Sequence, residues 1–291
     1  MKVLLVKNPS SGSAGDASGE ALADRLRHLG DVGVLEPESA GSAPEEIAAA
    51  ARDRDAVVVA GGDGTVSQAV NALELDLDRL LFGLIPAGTG NDLARTLDLP
   101  DDPATCAAGL NPARTRRVDV GRIEATGVRR LFINACLGGF PVAVDDAIDE
   151  DTKRLLGPLA FWVGGAKAAL DLKRFAVTVN GVAVQDCVAV GIGNGRTAGG
   201  GIELWPEADP GDGRFDVCAL GAPGLLDAAR VAVKVKAGTH RELEAVHTVQ
   251  AERVVVDADP TVEFNADGEI IGALTPVTFS LAGALRMMTV S

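Results

Sequence analysis

The sequence predicts an α/β plus all-β protein, in which an open α/β domain leads into a sheet-rich antiparallel domain. Three features carry this. Before about Leu99, continuous apolar runs alternate with helical patterns; after Pro112, longer strand-like runs follow one another; and two hairpin signals, Asn180-Gly181 and Asp267-Gly268, lie among the later runs.

In the first part the order is a run over Val3–Val6, a helical pattern over Asp16–Leu29, and a run over Val32–Leu35. A helical pattern over Pro44–Asp53, a run over Ala56–Ala60, a helical pattern over Val66–Leu73 and a run over Leu80–Ile85 complete it. The runs are apolar at every position, as expected of parallel strands covered by helices on both faces.

In the second part strand-like runs cover Val118–Glu124, Leu131–Cys136, Phe175–Val179, Val182–Ile192, Phe215–Leu220, Arg253–Val256 and Pro276–Leu281. The Asn-Gly and Asp-Gly pairs are the residues that two-residue hairpin turns demand, because both central positions need positive φ. Two amphipathic segments, about Pro158–Leu172 and Pro223–Val235, read as helices. Within the first, Phe161, Trp162 and Val163 suit a core face at helical spacing. There is no internal repeat and no low-complexity linker.

Composition narrows the function. The 291 residues are 47% hydrophobic, and 27 lysines and arginines face 41 acids for a net charge of −14. Such a surface disfavours nucleic acid and generic attraction to anionic membranes, so any membrane contact is local and transient. No run reaches the roughly 18 apolar residues that span a bilayer, and Met1–Val6 is too short for a signal peptide; a cytoplasmic protein is expected. Cys106, Cys136, Cys187 and Cys218 show no metal-ligand spacing and read as buried thiols. His28, His240 and His247 are scattered, which turns attention to carboxylates.

The run Ala56–Ala60 enters Gly61-Gly62-Asp63-Gly64-Thr65, and a helical pattern follows at once. Glycines at the end of a parallel strand let backbone approach a ligand, and the next helix offers N–H groups to phosphate. The same letters also suit a plain strand-to-helix turn with Asp63 or Thr65 as N-cap. Asp63 favours more. A carboxylate about 4 Å from a phosphate oxygen is repelled by about 4 kcal/mol at an effective dielectric near 20, and Mg2+ between them reverses the sign.

A second loop follows the next run: Pro86-Ala87-Gly88-Thr89-Gly90-Asn91-Asp92. Adjacent strand ends of an open sheet face one crevice, where such folds bind ligands. Thr89 and Asn91 suit hydrogen bonds to phosphate, and Asp92 suits either a helix cap or a metal–water shell. Asn8-Pro9-Ser10-Ser11-Gly12 ends the first run in a third such loop.

This set resembles the diacylglycerol kinase catalytic domain family, in its soluble bacterial lipid kinase branch related to sphingosine and ceramide kinases. Further matches follow in order: Asp119-Val120-Gly121, Phe132-Ile133-Asn134, Gly157-Pro158, Gly199-Gly200-Gly201, Asp212-Gly213 and Asp267-Gly268-Glu269. The resemblance implies an ATP-binding α/β domain over residues 1–120 plus about 282–291. It implies a β-sandwich lipid-substrate domain over 121–281, with ATP in the cleft between them. It assigns Asn8, Ser10, Ser39, Gly61, Gly62, Asp63, Gly64, Thr65 and Thr89 to the nucleotide, with Asn91 and Asp92 in the second loop. Glu269 falls on the catalytic base, in keeping with the need for a carboxylate at the acceptor hydroxyl. It also implies a structural Mg2+ on the loop from Glu207 to Phe215, held by the Asp212 carboxylate and the carbonyls of Asp209 and Arg214.

The chain departs from the pattern where membrane-active members use exposed lysines. Lys153 is present, but Ser13 stands where a lysine is expected. Interfacial docking would rest on Lys153, Arg154, Lys173 and Arg174, which also suit a solvated helix face. The reading is therefore an ATP- and Mg2+-dependent kinase of a hydroxyl on diacylglycerol or a similar lipid. A kinase of a soluble nucleotide or sugar and an inactive binding module are the rivals. A homodimer is compatible with the sequence.

Overall fold

In the computed structural model, residues 1–8, 18–139, 174–222 and 225–290 are described. They divide into two compact units: Met1–Val120 with Ala282–Ser291, and Gly121–Leu281.

The first unit is an open α/β fold. Its elements in order are β1 (Lys2–Lys7), α1 (Gly19–Leu26), β2 (Asp31–Leu35), α2 (Ala43–Ala50) and β3 (Ala56–Gly61). Then come α3 (Asp63–Ala72), β4 (Leu81–Pro86), α4 (Asp92–Thr96) and α5 (Pro103–Gly109). The strands lie in the order β2-β1-β3-β4, all parallel. Beyond β4 the sheet is extended by the last part of β15 (Val277–Val290), where Arg286 and Met287 pair with Leu81 and Phe82.

Continuous apolar runs take this position because both faces are covered. Val3, Leu5, Val58 and Ala60 pack with Leu22 and Leu26 of α1 and Ala107 of α5. Leu4, Val6, Val57 and Val59 are equally buried on the opposite face. Local chemistry starts the helices where the sequence allows: the Ser18 hydroxyl accepts from Ala21 N at 3.2 Å, and Asp102 accepts from Thr105 N at 2.7 Å.

The second unit is an antiparallel β domain. Its strands are the end of β5 (Leu110–Ala125), β6 (Val128–Phe132), β7 (Ala135–Gly139), β8 (Phe175–Val179), β9 (Val182–Gly193) and β10 (Phe215–Gly221). They continue with β11 (Val246–Ala251), β12 (Arg253–Asp259), β13 (Glu263–Ala266), β14 (Glu269–Leu274) and the first part of β15; α6 (Leu225–Lys236) lies between β10 and β11. The pairing runs β14-β13-β7-β9-β8-β12-β15; β10 joins β9 to β11, and β5 pairs β6. Phe132, Phe215, Phe264 and Phe279 form an aromatic centre, with ring centroids 5.3–6.1 Å apart.

Both hairpin signals are turns of the expected kind. Asn180 and Gly181 have φ of 47° and 85° between β8 and β9, and Asp267 and Gly268 have 48° and 83° between β13 and β14. The run Leu131–Cys136 differs from expectation. It is two strands, β6 and β7, broken at Ile133 and Asn134. The physical cause is Asp267, whose buried carboxylate accepts from the N–H groups of Ile133, Asn134 and Ala135 at 3.0, 2.9 and 3.1 Å. A side chain takes the place of a ladder partner there. β11, β13 and β14 have no counterpart in the sequence reading, and β15 runs nine residues beyond the expected Leu281.

The helical pattern over Pro158–Leu172, with Phe161, Trp162 and Val163, lies outside the described residues, as do Gly157, Lys153, Arg154, Lys173, Ser10 and Ser13. Arg174 donates to the Ala222 carbonyl at 2.7 Å. No helix among the described residues is long and apolar enough to cross a membrane. All four cysteines are buried and free.

Candidate functional site

The site builds from the register of three parallel strands in the first unit. Val6 pairs with Val59, and Gly61 pairs with Pro86, so β1, β3 and β4 end together. Asn8 N donates to the Ala60 carbonyl at 3.2 Å and Ala87 N to the Gly61 carbonyl at 3.1 Å. The loops after β3 and β4 then touch through backbone. A Cβ added to Gly88 would lie 2.3 Å from the Gly62 Cα, and one added to Gly61 would lie 2.5 Å from the Thr65 hydroxyl. Glycine is required at both places by close approach.

Asp63 locks the two loops together. It is the first residue of α3, yet its carboxylate reaches across to the start of α4. Oδ2 accepts from Asp92 N and Oδ1 from Leu93 N, each at 3.1 Å. The N-cap of α3 is instead Gly62, with no side-chain bond, so neither Asp63 nor Thr65 caps the helix as expected; the Asp63 carboxylate serves the neighbouring helix. Burial pushes the Asp63 carboxyl above its ordinary value of 3.8; the Leu93 N–H opposes this and the Asp92 charge adds to it. Asp92 itself is buried, and its carboxylate lies 4.0 Å from Arg95.

A half-buried and a buried carboxylate repelling each other fit a divalent cation. Each Asp63 oxygen has one lone-pair direction taken by a backbone N–H and another left to accept. Mg2+ characteristically takes one or two carboxylates and completes its shell with water and phosphate oxygens. Asp63 and Asp92 supply that donor set. Among the described residues no three metal-binding side chains gather, so the remaining ligands would have to come from phosphate and water.

The other nucleotide candidates divide by occupation. Thr65 is buried and its hydroxyl accepts from Asn8 Nδ2 at 3.3 Å, joining the chain after β1 to the loop after β3. Thr89 is exposed and its hydroxyl has no hydrogen bond among the described residues. Asn91 is left-handed (φ 53°) and spends its amide on one peptide: Oδ1 accepts from Gly88 N at 3.0 Å, and Nδ2 donates to Gly88 O at 2.8 Å. Asn91 therefore braces the loop through both its amide atoms. Ser39 Oγ lies 2.9 Å from Ser42 Oγ and accepts from Ser42 N at 3.1 Å, just before α2. Gly64 lies in the first turn of α3, where helix N–H groups precede the internal ladder.

In the second unit Glu269 opens β14 directly after the Asp267-Gly268 turn. Its Oε2 accepts from Arg130 of β6 at 2.5 Å, and both side chains are about one-third exposed. The turn is anchored by the Asp267 carboxylate and by the Asp267 N–H, which donates to Ala135 O at 2.8 Å. Asp267 and Arg130 are absent from the sequence-derived site. Asp267 was visible as part of the Asp-Gly-Glu motif; the Arg130 pairing, 139 residues away in sequence, had no local signal.

On the Glu207–Phe215 loop, Asp209 Oδ1 accepts from Gly211 N at 3.1 Å and Asp212 Oδ1 from Arg214 N at 2.9 Å; Asp209, Asp212 and Arg214 are exposed. Nearby, burial pushes the Asp216 carboxyl upward, opposed by a hydrogen bond from Gln250 and assisted by the charge of Asp212. Asp216, Arg241 and Trp205 line a cavity of about 180 Å³ in this unit.

Each of the two units matches a known family. The family described as "Diacylglycerol kinase catalytic domain" matches residues 2–123, and the "YegS C-terminal NAD kinase beta sandwich-like domain" matches residues 136–289. A diacylglycerol kinase of Mycobacterium tuberculosis is 32% identical over 301 residues, covering 99% of this chain and 94% of the relative. A probable lipid kinase YegS-like of Pseudomonas putida is 38% identical over 170 residues; the chain spans 56% of that relative's length and the alignment 57% of this chain. A crystal structure of a diacylglycerol kinase from Bacillus anthracis superposes with a TM-score of 0.78 at 25% identity, covering 99% of this chain and 96% of that one. With both domains matched in order and a relative aligned along nearly its whole length, the chain belongs to the diacylglycerol kinase family of lipid kinases.

Proposed function

We propose that the chain is an ATP-dependent lipid kinase that transfers the γ-phosphoryl group to a hydroxyl of diacylglycerol or a similar lipid. The observation that carries the nucleotide half is the meeting of Gly62 and Gly88 under the bridge from Asp63 to Asp92 N and Leu93 N. Two glycine loops held at that spacing form a backbone cradle, and the carboxylates beneath it call for a cation. Mg2+ held by Asp63, with Asp92 in its water shell, would neutralise charge on the phosphates. Asn8, Ser10, Ser39, Gly61, Gly64, Thr65 and Thr89 are the proposed surroundings of ATP, and the free Thr89 hydroxyl is the best-placed donor among them. Asn91 acts through Gly88.

Glu269 is the proposed general base. As the acceptor hydroxyl attacks, its O–H bond breaks and the proton passes to the carboxylate. The oxygen bonds to the γ-phosphorus while the bond to the β–γ bridging oxygen breaks, and ADP leaves with that electron pair. The loop bearing Asp212, with the carbonyls of Asp209 and Arg214, is a proposed second Mg2+ site of structural character, supported by the like-charged Asp216 and Glu207 beside it.

The test is incubation of the purified protein with labelled ATP, Mg2+ and a panel of diacylglycerol, phosphatidylglycerol, ceramide, sphingosine and polyprenols. Label in one lipid supports the proposal and names the acceptor. Label only in a water-soluble nucleotide or sugar overturns it.

A further inference from the structure

The segment 130–135 grips the β13–β14 turn at two points. Asp267 ties the turn's backbone to Ile133, Asn134 and Ala135, while Arg130 ties the Glu269 carboxylate. Arg130 is an unusual residue for its place. In β6 the side chains of Val128, Arg130 and Phe132 share one face by strand alternation; Phe132 belongs to the apolar core and Val128 packs against it. The partner positions across the hairpin repeat the pattern: Ala125 opposes Val128 and packs against the core, and Ile123 opposes Arg130 within it. An arginine on a core-facing row keeps its charge only with a partner. Its Nε is buried without a hydrogen bond, and its guanidinium ends on Glu269 Oε2.

We propose that Arg130 is the positioning residue of the phosphoryl-transfer base. This rests on the reading of Glu269 as that base. A glutamate on a hairpin otherwise turns about its last two side-chain bonds. The guanidinium fixes one oxygen, leaving Oε1, which has no hydrogen bond among the described residues, as the atom that takes the hydroxyl proton. The one partner of the Arg130 guanidinium among the described residues is Glu269. The contribution of Arg130 is orientation, the kind of effect for which misplacement by about 1 Å costs about 100-fold in rate.

A double-mutant cycle on kcat separates this from a merely structural clasp, using the full chain with dioctanoylglycerol first and then any lipid of the panel that takes phosphate. Glu269→Gln is expected to lose about 100- to 10,000-fold. Arg130→Ala is expected to lose about 10- to 100-fold in kcat with KM for ATP within about twofold, and Arg130→Lys to recover part of it. The decisive arm is Arg130→Ala in the Glu269→Gln background, where the loss should shrink to about twofold or less, because the residue has nothing left to orient. Full multiplicative loss in that background, or Arg130→Ala with unchanged kcat, overturns the positioning role alone. Full activity in Glu269→Gln overturns the reading of the base. If Arg130→Ala is unfolded by thermal melting, the cycle is read with Arg130→Lys and Arg130→Gln. No lipid phosphorylated by the unaltered protein overturns both.

Discussion

Gly62 and Gly88 meet backbone to backbone, with a methyl group on Gly88 lying 2.3 Å from the Gly62 Cα. Neither neighbour is the end of a flexible side chain, so one loop must move. Gly88→Ala is expected to destabilise by about 1–3 kcal/mol through overpacking and to weaken ATP binding about tenfold or more as the cradle opens. Thermal melting and titration calorimetry with ATP check it; native affinity would dissociate the contact from nucleotide binding.

Asp63 has two duties that separate by substitution. Asp63→Ala removes the acceptor for two N–H groups and should cost about 1–3 kcal/mol for each group left unpaired. Asp63→Asn keeps one acceptor and should fold better, yet it too should fail to phosphorylate, since the amide is a poor magnesium ligand. Urea unfolding set beside ATP turnover tests the distinction. Equal stability for the two variants would argue against the bridge.

The half-buried Asp63 also has a pH signature. Burial raises its carboxyl above the ordinary 3.8. An acid that holds its proton more tightly folded than unfolded adds stability below the unfolded value and loses it as pH rises through the folded one. Relative to Asp63→Asn, the native chain should thus be most favoured at about pH 3 and lose that advantage above the raised value, toward about pH 7. Saturating magnesium and ATP should restore it. Unfolding curves across that range check the slope, and a flat difference would contradict it.

The thiols supply a check on packing. Burial pushes Cys106, Cys187 and Cys218 up to about 12 and Cys136 well above its ordinary value. Because the thiolate is the reactive form, a soluble alkylating reagent at about pH 8 should leave the native protein unlabelled and modify all four cysteines in denaturant. Rapid native labelling at any of them, read by mass spectrometry, would place that residue in a looser environment.

Much of the first unit was legible because its determinants are local. The continuous runs ending in Gly61 and Pro86 need two covered faces, and Asn180-Gly181 needs positive φ, so neither depends on distant partners. The misreading of 131–136 as one strand is the opposite case, since the break is imposed by Asp267 from more than 130 positions away. Asn91 shows the same limit within one loop. Its residue type suits phosphate and suits Gly88 equally, and nothing local in the sequence shows the bonds to Gly88. β13 escaped because it is only four residues long, and β14 because its apolar residues do not alternate with burial: Ile270 and Leu274 are exposed while Ala273 faces the core.

Asp267→Ala should be the most damaging single change in the second unit. It orphans the N–H groups of Ile133, Asn134 and Ala135 where water has little access, at a cost of about 3 kcal/mol or more. Asp267→Asn retains one acceptor oxygen and should lose less. Chemical denaturation of the two variants tests the ranking, and near-native stability of Asp267→Ala would show that the break at Ile133 has another cause.

The parallel partner that Arg286 and Met287 give β4 has a temporal meaning for synthesis. As the ribosome releases the first 120 residues, four strands and their helices can gather, but β4 waits with an open hydrogen-bonding flank until about 165 further residues have been translated. During that interval the nascent chain carries a template for wrong pairing. A fragment stopping near Val120 would keep that flank indefinitely, so its solubility would depend on adding the missing strand as a separate peptide.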